Sequence, residues 1–237
     1  MAAPFRFKQF VVHQDRCAMK VGTDGVLLGA TTSIENRPES ILDVGSGTGV
    51  IALMLAQRSN AETIDAIELD ENAYEQCVEN FEASPWADRL FCYHASFQEF
   101  YEEMDDRYDV IVSNPPFFSE GVSSGQISRD MARQNNALPF ELLFKGVEKL
   151  LSKNGCFALI VPKTEEKRVL ELAQQSGLFP FEILRIKGNA NAPFKRSIIQ
   201  FSYIQKPISE KELTIELERH QFTKEYIDLT KDFYLKM

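Results

Sequence analysis

Residues 41–56 read Ile-Leu-Asp-Val-Gly-Ser-Gly-Thr-Gly-Val-Ile-Ala-Leu-Met-Leu-Ala, and few folds accommodate such a run. Ile41 to Val44 form a short apolar stretch of the kind a doubly buried strand requires. Gly45, Gly47 and Gly49 then turn the chain and leave room for backbone to approach a ligand closely. The apolar run from Val50 to Ala56 reads as a helix whose first amides have no intrahelical partner. A second strand, Thr63 to Leu69, leads to the acids Glu68 and Asp70, 19 and 21 residues beyond Gly49. Strand, glycine turn, helix and strand in immediate succession predict an α/β chain with a parallel sheet. In such sheets ligands bind beyond the carboxyl ends of the strands.

The turn also narrows the ligand. Glycines, a helix and a distal acid resemble a dinucleotide site, but here the spacing is Gly-x-Gly-x-Gly and Asp43 precedes it. A pyrophosphate over the helix N-terminus would be repelled by an acid at Asp43, which suits a cationic amine instead. S-adenosylmethionine carries an ammonium, a sulfonium and a ribose, and no phosphate. Glu68 would accept the ribose hydroxyls. A dinucleotide site and a purely structural turn are the alternatives.

A further strand, Tyr108 to Ser113, runs into Asn114-Pro115-Pro116-Phe117. The prolines fix φ and donate no hydrogen bond, and Pro115 holds Asn114 out of the helical region. The Asn114 carboxamide oxygen and the Pro115 carbonyl are acceptors for an exocyclic amine. Phe117 offers a face for a flat base. The competing reading is a strand that ends in a Pro-rich turn. Between these sites, Leu90 to Tyr93 reads as a strand. Backbone at Ala95 and Ser96 would follow it to the adenine of the cofactor, and Phe97 would pack there or in the core.

These features resemble the class I adenosylmethionine-dependent methyltransferases. Asn114 to Phe117 matches the (Asn/Asp/Ser)-Pro-Pro-(Tyr/Phe) motif of their amino-methylating members. Phe7-Lys8-Gln9-Phe10, the run Met19 to Ala30, Arg133-Gln134-Asn135 and Phe233-Tyr234-Leu235 closely resemble the bacterial tRNA1(Val) adenine-37 N6-methyltransferases. Gln134 departs from the His expected there. The resemblance implies methyl transfer to N6 of an adenine in tRNA. It places Asn114, Pro115 and Phe117 on the target base. Asp43, Gly45 and Gly49 would line the methionine end of the cofactor, and Thr23 and Asp24 would close the pocket from the N-terminal side. Without the resemblance, Asp24 divides between that role and helix capping. The alternatives are N6-adenine methylation of another RNA or of DNA, and N5-methylation of a protein glutamine. The first usually needs a sizeable recognition domain for DNA, and the last a helical N-terminal domain.

At 237 residues the chain predicts one methyltransferase domain. Residues 1–30 would be an N-terminal extension closing the pocket, 31–205 the core and 206–237 a C-terminal extension. The expected core is a Rossmann-like, mostly parallel sheet of seven strands with helices on both faces. Segments 180–187 and 197–205 would form its antiparallel C-terminal pair. Ser152 to Gly155 reads as a turn before a strand at 156–161. No apolar run suits a membrane span, and the start lacks an apolar signal segment, so a cytoplasmic protein without an obligate protein partner is expected. Cys17, Cys77, Cys92 and Cys156 have no metal spacing, and no metal is expected.

The net charge is −9, yet it is unevenly spread. Residues 62–120 carry sixteen acids against two arginines, whereas residues 125–200 carry twelve bases against seven acids. Arg6, Lys8, Arg16, Arg129, Arg133, Lys187, Lys195 and Arg196 are therefore candidates for a phosphate footprint.

Overall fold

The computed structural model describes residues 3–115 and 138–236. Pro116, Phe117, Arg129 and Arg133 lie outside the described residues, as does the segment 118–136, whose Gly121, Gly125 and serines read in the sequence as a loop beside the site.

The opening strand–turn–helix unit forms as its sequence predicts. Strand β3 (Ser40–Val44) leads through the glycine turn into α2 (Val50–Arg58), then β4 (Thr63–Glu68) and α3 (Glu71–Glu82). Strand β5 (Leu90–His94), α4 (Phe97–Glu103) and β6 (Tyr108–Ser113) continue the alternation. Strands β5, β4, β3 and β6 pair parallel in that spatial order. Before this unit lie the two-residue strands β1 (Phe5–Arg6) and β2 (Val11–Val12), which pair antiparallel, and α1 (Thr23–Thr31).

After it come α5 (Phe140–Leu150), β7 (Leu151–Pro162), α6 (Glu166–Gln175), β8 (Phe179–Asn189) and β9 (Arg196–Ser202). Strand β7 joins β6 in parallel, and β9 inserts antiparallel between β7 and β8. The seven expected strands are thus present. The sheet continues with β10 (Ser209–Glu218), parallel to β8, and β11 (Gln221–Phe222), giving nine strands in the order β11-β10-β8-β9-β7-β6-β3-β4-β5. Helix α7 (Lys224–Thr230) follows.

One segment differs from expectation. Residues 152–155 belong to β7 instead of a turn, and the register jumps from Tyr108↔Leu151 to Val110↔Cys156. The extra residues bulge out of the ladder, a device that keeps a strand in its sheet while absorbing an insertion. Ser152 Oγ donates to Asp109 Oδ1 across the bulge.

Two apolar layers sandwich the sheet. One packs α1, α2, α3 and α7 against one face through residues such as Val26, Leu53, Phe81 and Tyr226. The other packs α4, α5 and α6 through Phe97, Phe144, Val147 and Val169. Helix α2 is buried all round, from Val50 to Ala56. Each such Leu or Ile contributes about 1.5–3 kcal/mol by leaving water. Hence α2 and the turn that precedes it form a rigid floor.

Polar groups fix the N-terminal segment on that floor. Asn80 of α3 is fully buried; its Nδ2 donates to the carbonyls of His13 and Thr48, and its Oδ1 accepts from His13 N–H. Gln76, one turn earlier, accepts from Arg16 N–H and donates to Asp15 Oδ1. At the other end of the segment, Phe7 bridges Tyr234, and Lys8 N–H donates to Phe233 O. The two chain extensions therefore pair with each other.

Candidate active site at the ends of the parallel strands

The carboxyl ends of β3, β4, β5 and β6 open into two adjoining cavities of about 280 and 450 Å3. Met19, Gly45, Gly47, Asn114 and Pro115 line both. The smaller cavity adds Ile67, Glu68, Leu69, Asp70, Ala95, Ser96, Phe97 and Leu142, a largely apolar slot with two acidic residues at its edge. The larger adds Thr23, Asp24, Thr48, Pro162 and Arg196. The predicted Gly-rich turn, the β4 acid and the β6 turn thus meet at one place. Asn114 and Pro115 stand at the junction.

The glycine turn works as the sequence suggests, with a division of labour. Gly47 has φ +54°, and a Cβ there would meet nothing within 4 Å, so its open face is the cavity. Its N–H donates to Glu68 Oε2 at 2.8 Å. Gly49, at φ +77°, lines neither cavity. A Cβ on it would fall 2.5 Å from Phe81 and 2.8 Å from Cys77. Gly49 lets α2 approach α3; Gly45 and Gly47 face the ligand space.

Glu68 is fixed before any ligand arrives. Its Oε1 accepts from Leu69 and Asp70 N–H, each at 2.9 Å, while Oε2 accepts from Gly47. A carboxylate has about four acceptor positions, so capacity remains on Oε2, beside the slot. Asp70 is otherwise engaged: it caps α3 by accepting from Ala73 N–H at 2.9 Å.

Asp43 departs from the expected position. It is fully buried beneath the turn and lines neither cavity. Oδ2 accepts from Ala52 N–H at 3.2 Å, and Oδ1 has no hydrogen-bond partner among the described residues. Burial pushes its carboxyl up to about 7, the α2 amide opposes this, and Glu68 adds to it. Asp43 is therefore an N-terminal anchor for α2 with one unsatisfied oxygen. The sequence located the acid; only the fold reveals that α2 claims half of it.

Ala95 and Ser96 reach the slot, but with their amides occupied. Ala95 N–H donates to Glu68 O, and Ser96 forms a capping box with Glu99 at the start of α4. Phe97 lines the slot and packs edge-on against Tyr101 in the core. Cys17, Met19, Leu138 and Leu142 also wall the slot, although their sequence gave no chemical signal. Burial raises the Cys17 thiol to about 12, with Glu68 and Asp70 adding to the effect, which keeps it protonated and unreactive.

The basic candidates separate. Arg16 pairs with Glu75 and Glu79 of α3. Lys8 donates to Lys231 O and lines a groove with Gln57 and Arg58. That groove lies at the C-terminal end of α2, whereas the turn lies at its start. Arg6 sits on β1 in the same extension. By contrast, Arg196 lines the larger cavity, and its Nε donates to Asp24 Oδ2 at 2.8 Å. Lys187 and Lys195 flank it at the β8–β9 turn. Thr23 and Asp24, at the start of α1, line the same cavity. Asp24 makes no capping bond; Gly22 occupies the N-cap.

Among the described residues no group of His, Cys, Asp and Glu suits a metal ion, and no helix is long and apolar enough to cross a membrane.

The methyltransferase small domain family matches residues 22–164. A tRNA1(Val) (adenine(37)-N6)-methyltransferase of Christiangramia forsetii is 58% identical, covering 99% of this chain and 98% of its own. A protein of the same name from Flavobacterium johnsoniae is 56% identical, covering 98% and 100%. The fold is similar to that of a predicted O-methyltransferase from Agrobacterium tumefaciens, with a TM-score of 0.67, 18% identity and coverage of 89% and 96%.

Proposed function

Since the chain belongs to the family of the tRNA1(Val) (adenine(37)-N6)-methyltransferases, we propose that its paired cavities hold S-adenosylmethionine and a flipped adenine, and that it methylates N6 of adenine 37 in tRNA1(Val). The observation that carries this reading is the placement of Asn114 and Pro115 at the junction of the two cavities.

The residues fit the cofactor. The apolar slot between Leu69, Phe97 and Leu142 suits a purine ring, and Glu68 retains an acceptor position for a ribose hydroxyl. Gly45 and Gly47 leave space for the methionine end, with the unsatisfied Asp43 oxygen beneath them. When bound, the cofactor supplies a methyl group already activated by its sulfonium charge. Adenine N6 is a poor nucleophile because its lone pair is delocalised into the ring. Asn114 Oδ1 and the Pro115 carbonyl would hold its two hydrogens and favour a pyramidal nitrogen as the transition state forms. Phe117 is assigned to the base plane from its place in the tetrapeptide, so that the lone pair points at the methyl. Catalysis is then electrostatic and orientational, without a side-chain general base. The target base must leave its stack to enter, which costs least in a loop beside an anticodon. The cytoplasm is the expected compartment.

The names of the full-length relatives favour tRNA over DNA or protein. Replacing Asn114 by Ala tests the assignment. Turnover with tRNA should be almost lost while the cofactor dissociation constant stays near its original value. A parallel loss of cofactor binding would make Asn114 a cofactor or structural residue.

A further inference from the structure

The β8–β9 turn carries a side chain to which neither the family relationship nor the reaction assigns a role. Residues 188–195 read Gly-Asn-Ala-Asn-Ala-Pro-Phe-Lys. The turn is ordered by its own hydrogen bonds: Ala192 N–H to Asn189 O, Asn191 N–H to Asn189 Oδ1, and Lys195 N–H to Ile186 O. Lys163 N–H donates to Lys195 O at 3.0 Å, which ties the turn to the end of β7. The next residue, Arg196, pairs in register with Pro162, and both line the cavity that contains Asn114. The turn therefore stands at the rim of the cavity that receives the target base. Phe194 is half-buried there, with Lys187 Nζ 4.9 Å from its ring centroid. Lys195 beside it is exposed.

We propose that Phe194 is a stacking platform for a tRNA nucleotide flanking the target adenine, with Lys187 and Lys195 on the adjoining phosphates. Extruding a base leaves its neighbours with an uncovered face. An aromatic ring beside lysines is the arrangement that receives such a base without reading its identity. Packing under Lys187 holds the ring at the rim, and the hydrogen-bonded turn fixes its position before RNA arrives. This proposal rests on tRNA being the substrate.

Steady-state kinetics with tRNA at several salt concentrations test it. Phe194→Ala should raise KM for tRNA about tenfold, the scale of one lost stack. Its salt slope should match the unaltered enzyme, because no counterion release is lost. Phe194→Trp should restore KM. Lys195→Glu should flatten the salt slope. Cofactor affinity and Tm should not move in any of the three. An unchanged KM for Phe194→Ala in an enzyme that methylates tRNA would overturn the platform alone. So would a parallel loss of cofactor affinity or Tm, which would make Phe194 a packing residue. An unaltered enzyme inert on tRNA would overturn both the platform and the substrate assignment.

Discussion

Arg196 and Asp24 are 172 residues apart in the chain, and the guanidinium Nε lies 2.8 Å from the carboxylate. The contact joins β9 to the first turn of α1 across the mouth of the larger cavity. Each side chain is about one-third exposed, 36% and 33%, so solvent screens the pair and its contribution to stability is small. Its effect should instead be on the shape of the mouth. Arg196→Ala and Asp24→Ala should each weaken tRNA kcat/KM. The double variant should be less impaired than the sum, with a coupling of about 1 kcal/mol. Strict additivity in that cycle would show that the pair has no functional role.

Glu68 holds three backbone amides and retains room for a hydroxyl. Glu68→Ala should raise the cofactor dissociation constant by at least about tenfold, since hydrogen bonds to a charged group contribute about 1.5–3 kcal/mol each. It should also lower Tm, because Gly47, Leu69 and Asp70 lose their acceptor. Calorimetry gives both quantities, and an unchanged dissociation constant would place the ribose elsewhere.

Asp43 predicts opposite pH trends for stability and for binding. Its ordinary value is 3.8 and burial raises it to about 7 in the fold. Between those values the folded chain binds more protons than the unfolded chain, so this group lowers stability as pH rises from about 4 to about 7. The full penalty, up to ~4 kcal/mol, is present above pH 7. Asp43→Asn should therefore stabilise the ligand-free enzyme at pH 8. A cationic amine nearby would draw the carboxyl down again. Cofactor affinity should then rise with pH up to about 7, with proton release, and the Asn variant should lack that rise. Thermal melts and calorimetry in buffers of different ionisation enthalpy check the two trends.

Asn80 should act on the cofactor without touching it. Asn80→Ala removes three hydrogen bonds, one of them fully buried, and each buried group left unpaired costs about 1–3 kcal/mol. Tm should fall. The Cys17–Met19 wall should loosen, which weakens cofactor affinity more than kcat. Proteolysis near residue 18, with and without cofactor, would register the loosening. Equal protection in both enzymes would disprove the role.

The strand and helix order was legible because apolar period, glycine and proline agree along most of the core. Val50 to Ala56 and Tyr108 to Asn114 are examples. Strand β10 lies in the stretch expected only as a C-terminal extension, because an outer strand buries little. Leu213 is fully buried there, while Ser209 to Glu212 are exposed. The β7 bulge was hidden because Ser152 to Gly155 have the composition of a turn. At the site, Glu68, Ala95, Ser96 and Asn114 were readable from strand ends. The half of Asp43 taken by Ala52, and the pairing of Asp24 with Arg196, were not. Those depend on which backbone amide or distant side chain the fold brings near. Likewise, Gln76 and Asn80 sit in a helix that reads as acidic surface, yet their face secures the N-terminal segment.

The pairing of Phe7 with Tyr234 has a consequence during synthesis. Domains generally fold as the chain emerges, at about 5–20 residues per second. The segment that walls the smaller cavity is made first, but one of its anchors does not exist until residue 234 has left the ribosome. A nascent chain could already have β3 to β6 in place, with that wall held at α3 and Trp86 but not yet at Tyr234. Under the proposed assignment, cofactor capture should therefore come late in biogenesis, and a chain released early would have an incompletely anchored wall over the smaller cavity.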